Sequence, residues 1–234
     1  MKYIILIPAY EPDTKLLRLL REIDNKYPVI VINDGSSKFY NDIFEAAKKY
    51  AHVMSYEKNM GKGYALKTGL NYIEDKYEDN YIVVTMDADG QHKLDDALKL
   101  CGYVQDNLDT LVLGKRSRTK DMPLRSRLGN HITRNIFKQT TGLDIYDTQS
   151  GLRAFSSKLN DYMLSISGNR FEYEMNVLLN IKNHHIKYHE IPISTIYLDN
   201  NKDSHFHIIG DSYQIYRIIH KWKKEHKKTS ETTH

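Results

Sequence analysis

Along the first half of the chain, apolar runs alternate with helical spacings. Residues 2–7 read as a strand, and Leu16, Leu17, Leu19, Leu20 and Ile23 share one face of a following helix. Val29-Ile30-Val31-Ile32 is a second apolar run, closed by Asn33-Asp34-Gly35-Ser36. The pattern predicts a helix over 39–50, a short strand over 52–56, a longer helix over 61–77 and a strand over 81–86. A helix over 94–107 and a fifth strand over 110–114 complete the series. Strands without polar alternation, separated by helices, predict a mainly parallel sheet with helices on both faces.

Beyond residue 116 the alternation breaks. Residues 124–140 read as a basic amphipathic helix, 142–155 as a loop running into a strand, and 171–183 as a helix. Residues 186–198 are strand-like, and Pro192 there predicts an edge strand or a bulge. A last amphipathic helix is expected over 208–222. The Lys/Ser/Thr-rich tail over 223–234 has a disordered composition. Without a repeat or a linker, the chain reads as one α/β domain over 1–222.

Composition narrows the class. Hydrophobic residues at 40% and charged residues at 27% supply a real core for a soluble domain of this length. No apolar run is long enough to span a bilayer, and the opening eight residues are too short and β-branched for a secretory signal. The single cysteine, Cys101, excludes an internal disulfide and fits a reducing cytoplasm. Eleven histidines are scattered without zinc-site spacing. A net charge of +4 does not point to nucleic acid. The basic residues concentrated over 115–134 and 221–228 suit an anionic partner, either a bilayer surface or a solvated face.

The chemistry gathers in the loops after the predicted parallel strands. These are Pro8-Ala9-Tyr10-Glu11, Asn33-Asp34-Gly35-Ser36-Ser37, Asn59-Met60-Gly61-Lys62-Gly63 and Asp87-Ala88-Asp89-Gly90-Gln91-His92. Parallel strands put all four at one sheet edge, where α/β proteins bind ligands. Two carboxylates at Asp87 and Asp89 suit a hard divalent cation such as Mg²⁺ or Mn²⁺ shared with a diphosphate. The same residues are also good turn chemistry, so a plain turn stands beside the metal reading. The glycine-opened helix after Asn59 is expected to offer free N–H groups to phosphate. Its spacing is neither a Walker nor a dinucleotide fingerprint.

The ordered series Ile7-Pro8-Ala9-Tyr10, Val31-Ile32-Asn33-Asp34-Gly35-Ser36, Asn59-x-Gly61-Lys62-Gly63 and Asp87-Ala88-Asp89-Gly90-Gln91-His92 resembles inverting family 2 glycosyltransferases of the GT-A fold. Gly114-Lys115-Arg116 continues it. Asp147-Thr148-Gln149-Ser150-Gly151-Leu152-Arg153-Ala154-Phe155 and Phe171-Glu172-Tyr173-Glu174 are similar to the branch of dolichyl-phosphate mannosyltransferase and bacterial polyprenyl-phosphate glycosyltransferases. The resemblance, carried to about Trp222, implies a nucleotide-sugar-binding half over 1–116 and an acceptor-binding half over 117–222.

It also implies roles. Pro8, Ala9, Tyr10, Glu11, Asp34, Lys62, Asp87, Ala88 and Arg116 would bind the UDP- or GDP-sugar. Asp87, Asp89 and Gln91 would hold Mg²⁺ or Mn²⁺ against its diphosphate. Arg125, Arg127 and Arg153 would meet the acceptor, with Arg116 a further candidate for an acceptor phosphate and Arg153 alternatively paired to an internal carboxylate. Asp147, Asp89 and Glu172 are the catalytic-site candidates. Asp147 ranks first as base or acceptor-positioning group, and for Glu172 helix capping competes with catalysis. The implied activity is metal-dependent sugar transfer to a polyprenyl phosphate at the cytoplasmic membrane face. A saccharide acceptor in surface polysaccharide synthesis and a non-catalytic nucleotide-binding protein of the same fold are the alternatives. A nucleotidyltransferase is disfavoured, because Pro8-Ala9-Tyr10-Glu11 stands where its glycine-rich signature belongs.

Overall fold

The computed structural model describes residues 1–78, 80–116, 124–194 and 216–224, with the side chains of 124–132 outside that description. Its strands are β1 (Lys2–Ala9), β2 (Val29–Asn33), β3 (His52–Ser55), β4 (Tyr81–Thr85), β5 (Thr110–Arg116), β6 (Arg153–Ser156) and β7 (Lys187–Ile193). They form one seven-stranded sheet in the order β3-β2-β1-β4-β6-β5-β7. Every neighbouring pair is parallel except those made by β6, which runs antiparallel to both β4 and β5.

The central strands lack polar alternation because both sheet faces are covered. Along β1, Ile4 and Leu6 enter one apolar layer while Ile5 and Ile7 enter the other. The first layer is closed by α3 (Lys62–Lys76), α6 (Asn160–Ser165), α7 (Glu172–Asn180) and Phe137 of α5 (Leu124–Thr141). The second is closed by α1 (Thr14–Ile23), α2 (Asn41–Ala47) and α4 (Leu94–Asp106). Asp13 caps α1 by accepting from Lys15 N at 2.7 Å, and Leu16, Leu19, Leu20 and Ile23 form its buried face. The parallel, doubly covered sheet read from the sequence is thus the one observed.

Among the boundaries that differ from the sequence reading, three have a packing reason. β1 extends through Pro8 and Ala9, past the end of its β4 ladder at Leu6↔Thr85, so the N–H that proline lacks is not missed by β4. β5 runs on to Arg116 because edge strand β7 pairs with it there, Lys115↔Pro192 and Arg116↔Ile193. Pro192 therefore lies on an edge, as its presence predicted. The helix expected over 39–50 is a 3₁₀ turn, Lys38–Tyr40, followed by α2. It stops at Ala47 because the chain tightens, Tyr50 N donating to Ala47 O at 2.9 Å, to enter β3. Of the final predicted helix, 216–224 is helical and 208–215 lies outside the described residues, as does the tail from 225.

The chain passes from β1 through α1 to β2 and β3, then returns through α3 to β4 on the other side of β1. The sheet order thus reverses between β1 and β4, which opens a crevice at their carboxyl ends. Helix α3 reaches that crevice through a close approach to β1. A Cβ built on Gly69 would lie 2.2 Å from Leu6 Cδ1. Replacing Gly69 with Val should overpack this contact and cost about 1–3 kcal/mol. A lower urea midpoint at unchanged slope would register it, and an unchanged midpoint would show that helix and sheet can separate there.

Candidate active site

At the end of β4, Thr85 donates its hydroxyl to the Gly151 carbonyl at 2.7 Å. Beyond it, Asp87 N donates to His92 Nδ1 at 3.2 Å and Gln91 N donates to Asp89 Oδ1 at 2.9 Å, with Gly90 at φ 73°. The segment is therefore a turn of the Asx type and a carboxylate pair at once. The two readings of the sequence describe the same loop.

Lys62, in the first turn of α3, reaches this pair. Its Nζ lies 2.7 Å from Asp87 Oδ1 and 2.8 Å from Glu174 Oε2 of α7. Gly151 packs directly over the ion pair. A Cβ there would stand 2.6 and 2.8 Å from the Asp87 oxygens and 2.9 Å from Lys62 Nζ. Burial alone would push the Asp87 carboxyl up, but Lys62 above all, with His92 and Arg116, outweighs it and holds the group far below the usual carboxylate range. Burial likewise works against charge on Lys62, and Asp87 and Glu174 outweigh it, raising the ammonium above its ordinary value. Asp89 goes the other way: burial, then the Asp87 charge, raises its carboxyl. A cation between the two aspartates would relieve that repulsion.

At the glycine-opened end of α3, several N–H groups are already taken. Asp34 accepts from Gly61 N at 2.9 Å, from Met60 N at 2.8 Å and from the Tyr56 hydroxyl at 2.8 Å. Tyr64 N donates to the Asn169 carbonyl at 2.8 Å. Asp34, expected in the nucleoside pocket, is buried and faces inward, ordering the loop that carries Lys62. The β1 and β2 loops are tied to each other as well, Asp34 N donating to Ala9 O at 2.8 Å and Glu11 N to Ser36 Oγ at 2.8 Å. Glu11 takes a positive φ of 47° there, and Tyr10 is left exposed at the crevice edge. Pro8 and Ala9 are buried beneath it, while Ala88 and Gln91 lie half-buried beside Asp87 and Asp89.

A second ion pair closes the other side. The Arg116 fork grips Asp147, Nε to Oδ2 at 2.7 Å and Nη2 to Oδ1 at 3.0 Å. Arg116 N and Gln149 N also donate to that carboxylate. Glu190 on β7 in turn accepts from Tyr146 N and Asp147 N. Burial would raise the Asp147 carboxyl, yet Arg116 overrides it and lowers it. With both oxygens bonded and its carboxyl lowered, Asp147 anchors Arg116 in this arrangement.

Two further expectations are corrected. Arg153, placed on the acceptor, is buried and bonds the Ser150 and Glu174 carbonyls, Nη1 to Glu174 O at 2.8 Å. It fastens the Gly151 loop to α7 and touches no internal carboxylate there. Glu172, a catalytic candidate, holds the turn ahead of α7 by accepting from Asn169 N and Arg170 N at 3.0 and 3.1 Å. The acidic residue that enters the site is Glu174. Arg125 and Arg127 fall where side chains lie outside the described residues. No cluster of three or more His, Cys, Asp or Glu arranged for a metal occurs among the described residues. The two aspartates suit an ion that takes its remaining ligands from water and phosphate, as Mg²⁺ and Mn²⁺ do.

Residues 4–163 match the model of glycosyl transferase family 2. The chain belongs to this family. It is therefore a glycosyltransferase, and its relatives lie in the polyprenyl-phosphate branch. It is 30% identical over 217 residues to a UDP-N-acetylglucosamine–dolichyl-phosphate N-acetylglucosaminyltransferase of Methanococcus voltae, covering 83% of this chain and 86% of that one. It is 23% identical to the dolichyl-phosphate β-glucosyltransferase of Saccharomyces cerevisiae, over 85% of this chain and 68% of that one. The fold matches glucosyl-3-phosphoglycerate synthase of Mycobacterium tuberculosis, solved with Mn²⁺, uridine diphosphate and glucosyl-3-phosphoglycerate. That match has a TM-score of 0.66 at 17% identity, over 95% of this chain and 80% of that one. The GT-A architecture is thus the fold of this chain.

Because Asp147 is held below its unfolded pKa of about 3.9, its pairing stabilises the fold fully above that value. The contribution is lost as pH falls through the lowered folded value. Asp147→Asn should lose about 2–4 kcal/mol at neutral pH, reduced from the range of about 3–5 kcal/mol for a broken buried pair because Arg116 keeps 28% of its side chain exposed. Its stability should also decline less steeply below about pH 4. Urea titrations of both proteins from pH 7 to pH 3 would show parallel declines if the pair contributes nothing.

Proposed function

We propose that the chain transfers a sugar from a nucleotide sugar to a polyprenyl phosphate, with inversion, at the inner face of the cytoplasmic membrane. Residues 1–116 would hold the donor and 117–222 the acceptor. The observation that carries the reading is the Asp87/Asp89 pair at the β1/β4 crevice, with Lys62 pressed against it. Asp87 and Asp89, with Gln91 beside them, would hold Mg²⁺ or Mn²⁺ against the donor diphosphate. Bound there, the ion supplies positive charge to the leaving nucleoside diphosphate.

A phosphate oxygen of the acceptor attacks the anomeric carbon. The bond from that carbon to the diphosphate oxygen breaks, and its electron pair leaves with the nucleoside diphosphate. A phosphate acceptor is already ionised and needs no strong base. That agrees with Asp147 being saturated by Arg116, Gln149 N and a lowered pKa. The M. voltae relative, named for a UDP sugar and a dolichyl phosphate, supports the same donor and acceptor classes. No helix among the described residues is long and apolar enough to cross a membrane.

Incubating the protein with radiolabelled UDP- and GDP-sugars, Mn²⁺ and undecaprenyl phosphate should give a lipid-linked sugar. Asp89→Asn should lower kcat/KM about 100-fold or more. Transfer only to saccharides, or a rate indifferent to Asp89→Asn, would overturn the reading.

A further inference from the structure

Lys62 already occupies the approach to Asp87 that a metal would use. Its Nζ stands 2.7 Å from Asp87 Oδ1, inside the space of an ion bound to that oxygen at about 2.0–2.2 Å. The carboxylate is hemmed in on its other sides, although 29% of its side chain stays exposed. Oδ2 faces His92 Nε2 at 3.8 Å, and Gly151 lies so close that a single Cβ would fall within 2.8 Å of either oxygen. The ammonium therefore stands in for the divalent cation. Glu174, at 2.8 Å, gives it a second anion to rest on once Asp87 is taken.

We infer that Lys62 is a resident counter-ion which divalent metal alone displaces poorly and the donor diphosphate displaces together with metal, and that Glu174 is the positioning residue receiving it. The inference rests on the donor-site reading of Asp87 and Asp89 and adds an order of binding to it. Metal arriving alone meets a fixed positive charge 2.7 Å from its ligand. A diphosphate attracts both cations, so nucleotide and metal each favour the other's binding. Glu174 lowers the cost of moving Lys62 by keeping it paired, which makes the two carboxylates act in opposite senses. Asp87 is contested by lysine and metal, and Glu174, among the described residues, is held by lysine alone.

Mn²⁺ binding without nucleotide, followed by the electron paramagnetic resonance of free Mn²⁺, tests this directly. Lys62→Met should bind Mn²⁺ alone about 5- to 100-fold more tightly than wild type while losing affinity for UDP in the presence of Mn²⁺. Glu174→Gln, which keeps shape and removes charge, should weaken Mn²⁺ alone, because the displaced ammonium has no carboxylate to meet. Opposite shifts in the two variants support the latch, since a merely structural role would move both downward. Equal or same-sign shifts overturn it. If Lys62→Met fails to show a cooperative melt, Lys62→Gln takes its place and the same pair of opposite signs decides. Opposite shifts without lipid-linked product in wild type would keep the latch and remove the acceptor assignment. Product without shifts would keep the enzyme and remove the latch.

Discussion

One antiparallel strand makes the site. β6 enters between β4 and β5 against the direction of both, so its amino end, rather than its carboxyl end, lies at the ligand-binding edge. The Thr85↔Arg153 register and the Thr85 hydroxyl bond to Gly151 O fix that end beside the last residues of β4. The segment 147–152 is thereby carried over Asp87, and Arg153, bonded to the Glu174 carbonyl, brings the start of α7 with it. A parallel strand at this place would have delivered its opposite end and left the aspartates facing an open crevice.

So many charges in a small volume are tolerable because each is met by geometry as well as by sign. Asp87, Glu174 and Asp147 answer Lys62 and Arg116, and backbone N–H groups take further lone pairs of Asp147, Asp89 and Asp34. Such sets contribute little net stability compared with apolar packing, but removing one member strands another. What they provide is placement. Lys62 sits in the first turn of a helix whose N-terminus is tied down by Asp34 and Asn169, so its reach toward Asp87 is set by backbone and not by a loose loop. Gly61 and Gly63 permit this, since a Cβ on either would strike the 169–173 segment, Asn169 O at 2.5 Å and Tyr173 Cβ at 2.4 Å.

The pieces of this site differ in how openly the sequence shows them. Asp87 and Asp89 are legible because they follow an apolar run at a separation of two and carry their own turn signal. Lys62 is legible for the same kind of reason, lying between two glycines at the opening of a helix. Glu172 and Glu174 are two residues apart on one helix, which turns them about 200° from each other. Nothing local says which faces Asp87 and which holds the turn ahead of the helix. Arg116 and Asp147 are separated by 31 residues, and their bond exists only because β5, β6 and β7 are ordered as they are. Gly151 lies within a family-like motif, but the reason it is glycine is a contact need, visible only against the Asp87 carboxylate.

By itself, the sequence determined the doubly covered parallel sheet, the strand ends that carry polar loops and the family motifs placed on those ends. These follow from local periodicity and from the rule that parallel strands end on one edge. The tertiary structure decided which charged groups are partners. It turned Asp34, Arg153 and Glu172 into supports, locked Asp147 to Arg116, and set Lys62 between Asp87 and Glu174. The reason is physical: an ion pair depends on distance and burial between side chains far apart in the chain, and those quantities exist only once the strands have chosen their order and direction.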